Sequence, residues 1–223
     1  MQLRVIGALL TVASLTANRA VAQAPSTAPV FGLGTHLGLK AGLNRSVLAG
    51  QINPQTFFKT GFSGGIMMRV RASRRFAVQP ELLYAQLGAG GSLSPASKNP
   101  DYEVRLNYLT VPLLFKFYFG DRAYLQAGPQ VGFLLSGRRM GINPTTPDQD
   151  VTSEYGGTDF AVTSGVGVDL ACGLVLGARL AYGFTNINTG GDEARFRDQA
   201  GLGGLHNRNI ELSVGYLFGA AKY

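Results

Sequence analysis

Apolar and polar residues alternate with a period of two through most of the chain from residue 35 onward. Near the start of this region, Leu37, Leu39 and Leu43 hold alternate positions, and polar residues or glycine lie between them. This is the period of a β-strand, whose successive side chains point to opposite faces. Each segment is close to the ~9–11 residues that a tilted strand needs to cross a bilayer. The pattern predicts eight strands, in residues 35–44, 60–71, 76–87, 107–119, 125–135, 159–169, 174–184 and 209–218.

The connections between these segments alternate between long and short. The long ones are residues 45–59, 88–106, 137–158 and 185–207, and the short ones are 72–75, 120–122 and 170–172. A transmembrane barrel has this arrangement, with tight periplasmic turns and larger loops outside. The sequence therefore predicts an all-β fold, an eight-stranded antiparallel up-and-down transmembrane β-barrel with short periplasmic turns and four long outer loops. An even strand number places both ends of the barrel chain on the periplasmic side.

The composition of the polar faces decides between two kinds of barrel. A soluble, lipocalin-like barrel turns its apolar face inward and its polar face to water. A solvated face of that kind is normally rich in Lys and Glu, whereas here it is rich in glycine, with 31 Gly in 223 residues and 15% charged residues overall. A narrow interior needs small residues, so the pattern favours a membrane barrel with its apolar face toward lipid.

The charged residues at polar positions of the strands carry both signs. Buried charges must pair, and eight strands enclose a space just wide enough for side chains to fill. We therefore predict a structural polar network in the lumen rather than a pore. The predicted lumen network consists of Lys40, Arg69, Glu81, Lys116, Asp169, Arg179 and Glu211.

The N-terminal residues have the layout of a secretory signal peptide. A basic start at Arg4 precedes an apolar stretch and a small-residue cleavage site that ends at Ala22. We predict a signal peptide in residues 1–22, a short lead in 23–33, the outer-membrane barrel in 34–218 and a tail in 219–223. The single cysteine, Cys172, cannot form an internal disulfide. The formal charge of +7 is not organised as a basic stripe with aromatics, so no nucleic-acid partner is expected.

Few residues offer catalytic or metal-binding chemistry. His36 and His206 are predicted to lie at opposite ends of the barrel, and no catalytic motif surrounds His206. Asp148, Asp150 and Glu154 could supply oxygen ligands to calcium, but their spacing is not that of an EF-hand and favours a solvated loop. We therefore expect no catalytic residues, no metal and no cofactor.

Three runs of sequence resemble the PorT-type outer-membrane β-barrel family. They are Gln79–Tyr84, Tyr108–Lys116 and Gly128–Gly132, and the run 212–218 is similar to the last strand of that family. The resemblance extends over nearly the whole predicted barrel. It implies a small outer-membrane barrel, and a link to protein secretion for the member that gives the family its name. The last strand also resembles an outer-membrane assembly signal, although the chain continues to Tyr223.

Together these observations predict a non-catalytic protein of the bacterial outer membrane with a structural or interaction role, such as an accessory to secretion or surface assembly. The expected partners are outer-membrane lipid, the barrel assembly machinery and a protein partner at the long loops. Two alternatives stay open. One is a narrow channel or small-ligand binder, and the other is a barrel enzyme that acts on lipid or peptide.

Overall fold

The computed structural model describes residues 33–50, 56–92, 100–142 and 147–219, except for the side chains of residues 192 and 193. The predicted signal peptide, nearly all of the predicted lead and nearly all of the predicted tail lie outside these residues. Their boundaries, and that of the predicted cleavage site after Ala22, stay predictions.

The described residues form eight long strands, one two-residue strand and little helix. A 3₁₀ turn covers Thr152–Glu154 and helix α1 covers Gly191–Gln199. No helix in the described part of the chain is long and apolar enough to cross a membrane. The strands are β1 (Gly34–Ala49), β2 (Thr56–Arg71), β3 (Phe76–Gly91), β4 (Tyr102–Phe119), β5 (Ala123–Gly141), β6 (Gln149–Asp150), β7 (Thr158–Asp169), β8 (Leu174–Gly183) and β9 (His206–Leu217).

The eight long strands close into a ring. Each pairs antiparallel with the next along the chain, except that β5 pairs directly with β7, since the short β6 only adds to the outer end of β5. The ring closes where β1 pairs with β9, from Gly38 opposite Leu217 to Ala49 opposite His206. A closed ring has no unpaired edge, so every strand backbone can be satisfied within hydrocarbon. The predicted eight-stranded antiparallel up-and-down barrel is confirmed.

The two faces of the barrel wall differ as the membrane interpretation requires. Outward-facing Leu43 is 65% exposed and Phe62 is 51% exposed, whereas inward-facing Lys40 and Glu211 are buried. A soluble barrel would show the opposite arrangement. The wall is therefore a band of apolar side chains around a polar interior.

The outer connections are shorter than the sequence predicts. They cover residues 50–55, 92–101, 142–157 and 184–205, against periplasmic turns at 72–75, 120–122 and 170–173. The predicted loop 45–59 was wrong over most of its length because β1 continues to Ala49, paired with β9, and β2 already begins at Thr56. The strands extend beyond the apolar band, where backbone pairing continues but the alternation of apolar and polar residues that marks a strand in lipid is no longer needed. The last connection also contains helix α1, for which the alternation of apolar and polar residues gives no signal.

A row of small inward-facing residues crosses five neighbouring strands. In the order of the strands around the ring, each residue of the row is the register partner of the next. The row begins beside the buried Tyr124, which pairs with its first member. We call it the small-residue row: Gly167, Gly177, Ser213, Gly42 and Ser63.

Gly65 lets β2 approach β3 closely, and its neighbour Gly64 provides a control. A Cβ at Gly65 would overlap the carbonyl oxygen of Leu82, whereas a Cβ at Gly64 would meet its nearest atom at 3.7 Å. Overpacking of this kind costs roughly 1–3 kcal/mol. We expect Gly65→Ala to lower the free energy of unfolding in detergent by that amount and Gly64→Ala to leave it unchanged, as measured by denaturant unfolding. Equal stability of the two variants would contradict the close approach of β2 and β3.

Candidate functional site

Four charged side chains form a closed ion-pair group in the centre of the lumen. Lys40 Nζ lies 3.1 Å from Glu81 Oε2 and 2.9 Å from Glu211 Oε1. Arg179 donates from Nη1 to Glu81 Oε2 at 2.8 Å and from Nη2 to Glu211 Oε2 at 2.9 Å. Each carboxylate is therefore shared by a lysine and an arginine. Because the four residues come from β1, β3, β8 and β9, the group connects strands on different sides of the barrel.

A second ion pair lies closer to the periplasmic end. Arg69 Nη1 donates to Asp169 Oδ2 at 2.6 Å, and Tyr118 Oη donates to the same oxygen at 2.9 Å. Gln79 links this pair to the central group, since it accepts from Arg69 Nε at 2.7 Å and donates to Glu81 Oε1 at 2.6 Å. The contact from β2 to β7 also spans the lumen, so it braces opposite walls.

Within the part of the chain that the structure describes, Lys116 occupies the lumen without an ion pair. Its Nζ lies 3.8 Å from the centroid of the Tyr124 ring. It has no hydrogen-bond partner among the described residues, and the side chain is 1% exposed. The contact is a cation–π geometry, with the amine over the negative face of the ring. The structure thus places all seven predicted residues in the interior and brings six of them together as ion pairs.

The seven residues of the lumen network come from seven of the eight long strands. Only β5 contributes none of them, and it supplies Tyr124 beneath Lys116. The network contains four cations, Lys40, Arg69, Lys116 and Arg179, and three anions, Glu81, Asp169 and Glu211. Charges enclosed in this way need partners because the protein interior solvates them poorly.

Two small voids lie between these side chains. One, of about 20 Å³, is lined in part by Thr110, Asp159 and Arg179. The other, of about 10 Å³, is lined in part by Lys40, Glu81 and Lys116. A space of that size accommodates about one water molecule, which is too small for a hydrated ion.

An apolar cluster closes the outer end of the barrel. Val151, Tyr155, Ile187 and Leu205 from the outer connections pack against inward-facing strand residues that include Leu48 and Leu106. We call these packed residues the outer cap. The connections that supply them are joined by backbone hydrogen bonds, from Gly156 N to Ile187 O at 2.6 Å and from Ile187 N to Leu205 O at 2.9 Å. The connections are therefore folded together over the mouth of the barrel.

The outer cap was missed by sequence reasoning. Its loop members are single apolar residues in polar surroundings, so they produce no periodic signal. A bulge between Asn107 and Tyr108 also changes the register of β4 with β5 near the mouth. Isolated large apolar residues such as Ile187 and Tyr155 in an otherwise polar connection are the one signal that could have indicated it.

The structure places the two histidines at opposite ends of the barrel. His36 lies near the periplasmic start of β1, opposite Arg69 on β2, and His206 begins β9 at the outer end. The Nδ1 atom of His206 lies 2.9 Å from the carbonyl oxygen of Thr185. The two histidines therefore cannot contribute to one catalytic site.

Two of the three acidic residues of the third outer connection, Asp150 and Glu154, have protein partners. Glu154 accepts from Arg139 Nη2 at 3.1 Å, and Asp150 accepts from the backbone N–H of Thr152 at 2.9 Å. Hydrogen bonds from Thr152 hold the pKa of the Asp150 carboxyl below its usual value, with a smaller contribution from Arg138. Within the described ranges, no group of three His, Cys, Asp or Glu side chains could hold a metal ion.

The closed wall, apolar outside and ion-paired inside, defines an outer-membrane type of β-barrel. The family model described as "Outer membrane protein beta-barrel domain" matches residues 21–188. The chain belongs to this family, and it is a protein of the bacterial outer membrane. No curated protein sequence matches it.

Solved structures with a similar fold are also outer-membrane barrels. Neisserial surface protein A is 13% identical, with 85% of this chain and 99% of that chain covered and a TM-score of 0.50. The Yersinia pestis protein Ail, solved with the heparin analogue sucrose octasulfate, is 13% identical over 83% and 100% of the two chains, with a TM-score of 0.47. OprG from Pseudomonas aeruginosa is 10% identical over 86% and 99%, with a TM-score of 0.45. At these identities the likeness concerns the fold alone.

Glu81 is the residue on which the lumen network depends most, since it accepts from Lys40, Arg179 and Gln79. Removal of one partner from a buried ion pair costs roughly 3–5 kcal/mol because the remaining charge is uncompensated. We expect Glu81→Gln to destabilise the barrel by that amount, measured as the free energy of unfolding in detergent. Lys116→Met, which removes a lumen cation that makes no ion pair, is the matched control and should cost far less. An equal loss of unfolding free energy in the two variants would show that the ion pairs of Glu81 do not stabilise the barrel more than Lys116 does.

Proposed function

We propose that this protein is a sealed, non-catalytic barrel that carries an interaction surface at the outside of the bacterial outer membrane. The observation that supports the proposal most directly is the lumen network, which joins opposite walls through Arg69–Asp169 and Arg179–Glu81. A conducting barrel keeps a continuous hydrated path, and here buried ion pairs cross the lumen and the outer cap covers the mouth. Function is therefore assigned to the outer surface instead of the interior.

The absence of catalysis is part of the same proposal. An enzyme needs a nucleophile, a base and an orienting group that converge on one site. His36 and His206 lie at opposite ends of the barrel, and the one hydrogen-bond contact described for the His206 ring joins Nδ1 to a backbone carbonyl. These positions do not favour the alternative of a barrel enzyme acting on lipid or peptide.

We also propose that the protein is of the PorT type. The three runs that carry this resemblance lie in the consecutive strands β3, β4 and β5. Their inward residues Gln79, Glu81 and Lys116 belong to, or contact, the lumen network. The resemblance thus coincides with the residues that fill the barrel, and it suggests an accessory role in secretion or surface assembly. The closing strand β9 is the proposed signal for the barrel assembly machinery.

An exposed aromatic group of the outer surface, carried by helix α1, is suited to a protein partner. Phe196 of α1 lies on the outer connection 184–205 and is 64% exposed. Large aromatic residues are enriched at the centres of protein interfaces. The connection is held in place by the outer cap, so the aromatic group is presented on an ordered support.

A channel is the main alternative, and conductance distinguishes it from a sealed barrel. We expect the wild-type protein in planar bilayers to give no steady single-channel steps. The Arg179→Ala/Glu211→Ala double variant removes one cation and one anion from the centre of the lumen, and it is expected to pass ions. Steady steps from the wild-type protein would overturn the sealed barrel.

Cross-linking in intact cells tests the interaction surface. A photo-reactive amino acid at position 196 should give a specific protein adduct. The same group at Phe133, which faces outward on β5 and is 45% exposed, should give only lipid adducts. Identical adduct patterns at the two positions, or no protein adduct at position 196, would contradict a partner at the outer cap.

A further inference from the structure

The outward face of the barrel contains a large apolar depression. It has a volume of about 970 Å³ and extends across the wall from Phe119 at the end of β4 through β5, β7, β8, β9 and β1 to β2. Its lining includes Leu43, Phe62, Val166, Ala178 and Leu212. Leu43 and Leu212 are among the most exposed large apolar side chains of the wall, at 65% and 58%. The depression therefore opens toward the hydrocarbon of the membrane.

The small-residue row explains why the wall is hollow at this place. Gly42, Ser63, Gly167, Gly177 and Ser213 lie on the same strands and also line the depression. Because no large side chain projects inward from the row itself, the strands can lie closer to the barrel axis at this level. Small outward-facing residues, Ala41 and Ala178, deepen the hollow from the other side.

Two arginines lie directly beyond the outer end of the depression. Arg45 follows Leu43 by two residues on β1, which places it about 7 Å further along the strand on the same face. Arg208 lies on the neighbouring strand β9, opposite Val47 of β1. Among the Lys, Arg, Asp and Glu side chains of β1, β2, β8 and β9, only Arg45 and Arg208 are exposed. This wall therefore carries two outward positive charges and no outward carboxylate.

Aromatic groups hold both guanidinium groups against the wall. Arg45 lies 5.5 Å from the centroid of the Phe58 ring. Arg208 lies 4.4 Å from the centroid of the Tyr182 ring and donates to its hydroxyl at 2.6 Å. Among the described residues, these contacts engage only one N–H donor, on Arg208, and leave the other donors of the two arginines available. Such donors bind phosphate oxygens in pairs.

We propose that this wall binds one molecule of lipid A, the phosphorylated and acylated glucosamine lipid of the outer leaflet. Its phosphate pairs with Arg45 and Arg208, and an acyl chain occupies the depression. The choice of lipid follows from orientation, since both arginines lie at the end of the barrel that carries the long connections and therefore faces outward. An acyl chain gains little by leaving other lipid chains for an apolar wall, so the phosphate contact supplies the specificity. The proposal rests on the wall alone and is independent of the proposed partner at the outer cap.

Native mass spectrometry of the folded protein in detergent tests this site with bisphosphorylated lipid A as the probe. We expect one retained lipid A per protein. The Arg45→Gln/Arg208→Gln variant should bind it roughly tenfold more weakly or worse, because charge-assisted hydrogen bonds to the phosphate are lost. Ala178→Phe should also weaken binding, because it fills the depression without altering the charges. Lipid A without phosphates should bind the wild-type protein as weakly as intact lipid A binds the arginine variant.

Two matched variants at lipid-facing positions outside the lining of the depression serve as controls. Arg138→Gln removes an exposed outward arginine of β5 that lies away from the depression, and Val111→Phe enlarges a lipid-facing residue of β4. Both should bind lipid A like the wild-type protein, and unheated gel mobility confirms that every variant is folded. If Arg138→Gln weakened lipid A binding as much as the arginine double variant does, the binding would reflect general attraction to positive charge, and the proposed site would be overturned. Equally tight binding of phosphatidylglycerol, or a dimer that excludes lipid, would overturn it as well.

Discussion

The pairing of the first strand with the last is the constraint on which the rest of this structure depends. Hydrocarbon offers no hydrogen bonds, so a sheet in a membrane has to close on itself. Here β1 and β9 meet along most of their length, from Gly38 opposite Leu217 to Ala49 opposite His206. Closure with eight strands determines the width of the interior. The side chains inside the barrel must consequently fill a narrow space.

The two sides of the interior are filled by side chains of different size. Toward β3, β4 and β5, large groups such as Tyr108, Lys116 and Tyr124 fill the space. Toward β7, β8, β9 and β1, the small-residue row leaves room for Lys40 and Arg179 to reach Glu81 across the lumen. The same row shapes the outer wall, because strands can lie nearer the axis at a level where their inward residues are small. Lumen filling and wall shape therefore have one origin.

The fold could be predicted from the sequence because a membrane barrel repeats one rule in every strand. The apolar outward positions, from Leu37 to Tyr216, and the inward charges Lys40 and Glu211 follow directly from a period of two. The pairing of particular charges could not be predicted, since it depends on the stagger of the strands, which brings Arg69 to Asp169 rather than to Glu81. The outer cap could not be predicted because Val151 and Ile187 acquire their burial only from contacts between distant connections.

Glu211 gives barrel closure an electrostatic component. It lies on the last strand to be made and pairs with Lys40 of the first strand and with Arg179 of the strand before it. Until β9 is in place, these two cations share only the carboxylate of Glu81. Completion of the ring and charge balance in the central group of Lys40, Arg179, Glu81 and Glu211 are thus a single event. An open, unfinished barrel carries unbalanced positive charge facing a low-dielectric space, which penalises incomplete insertion and makes closure more cooperative than backbone pairing alone would.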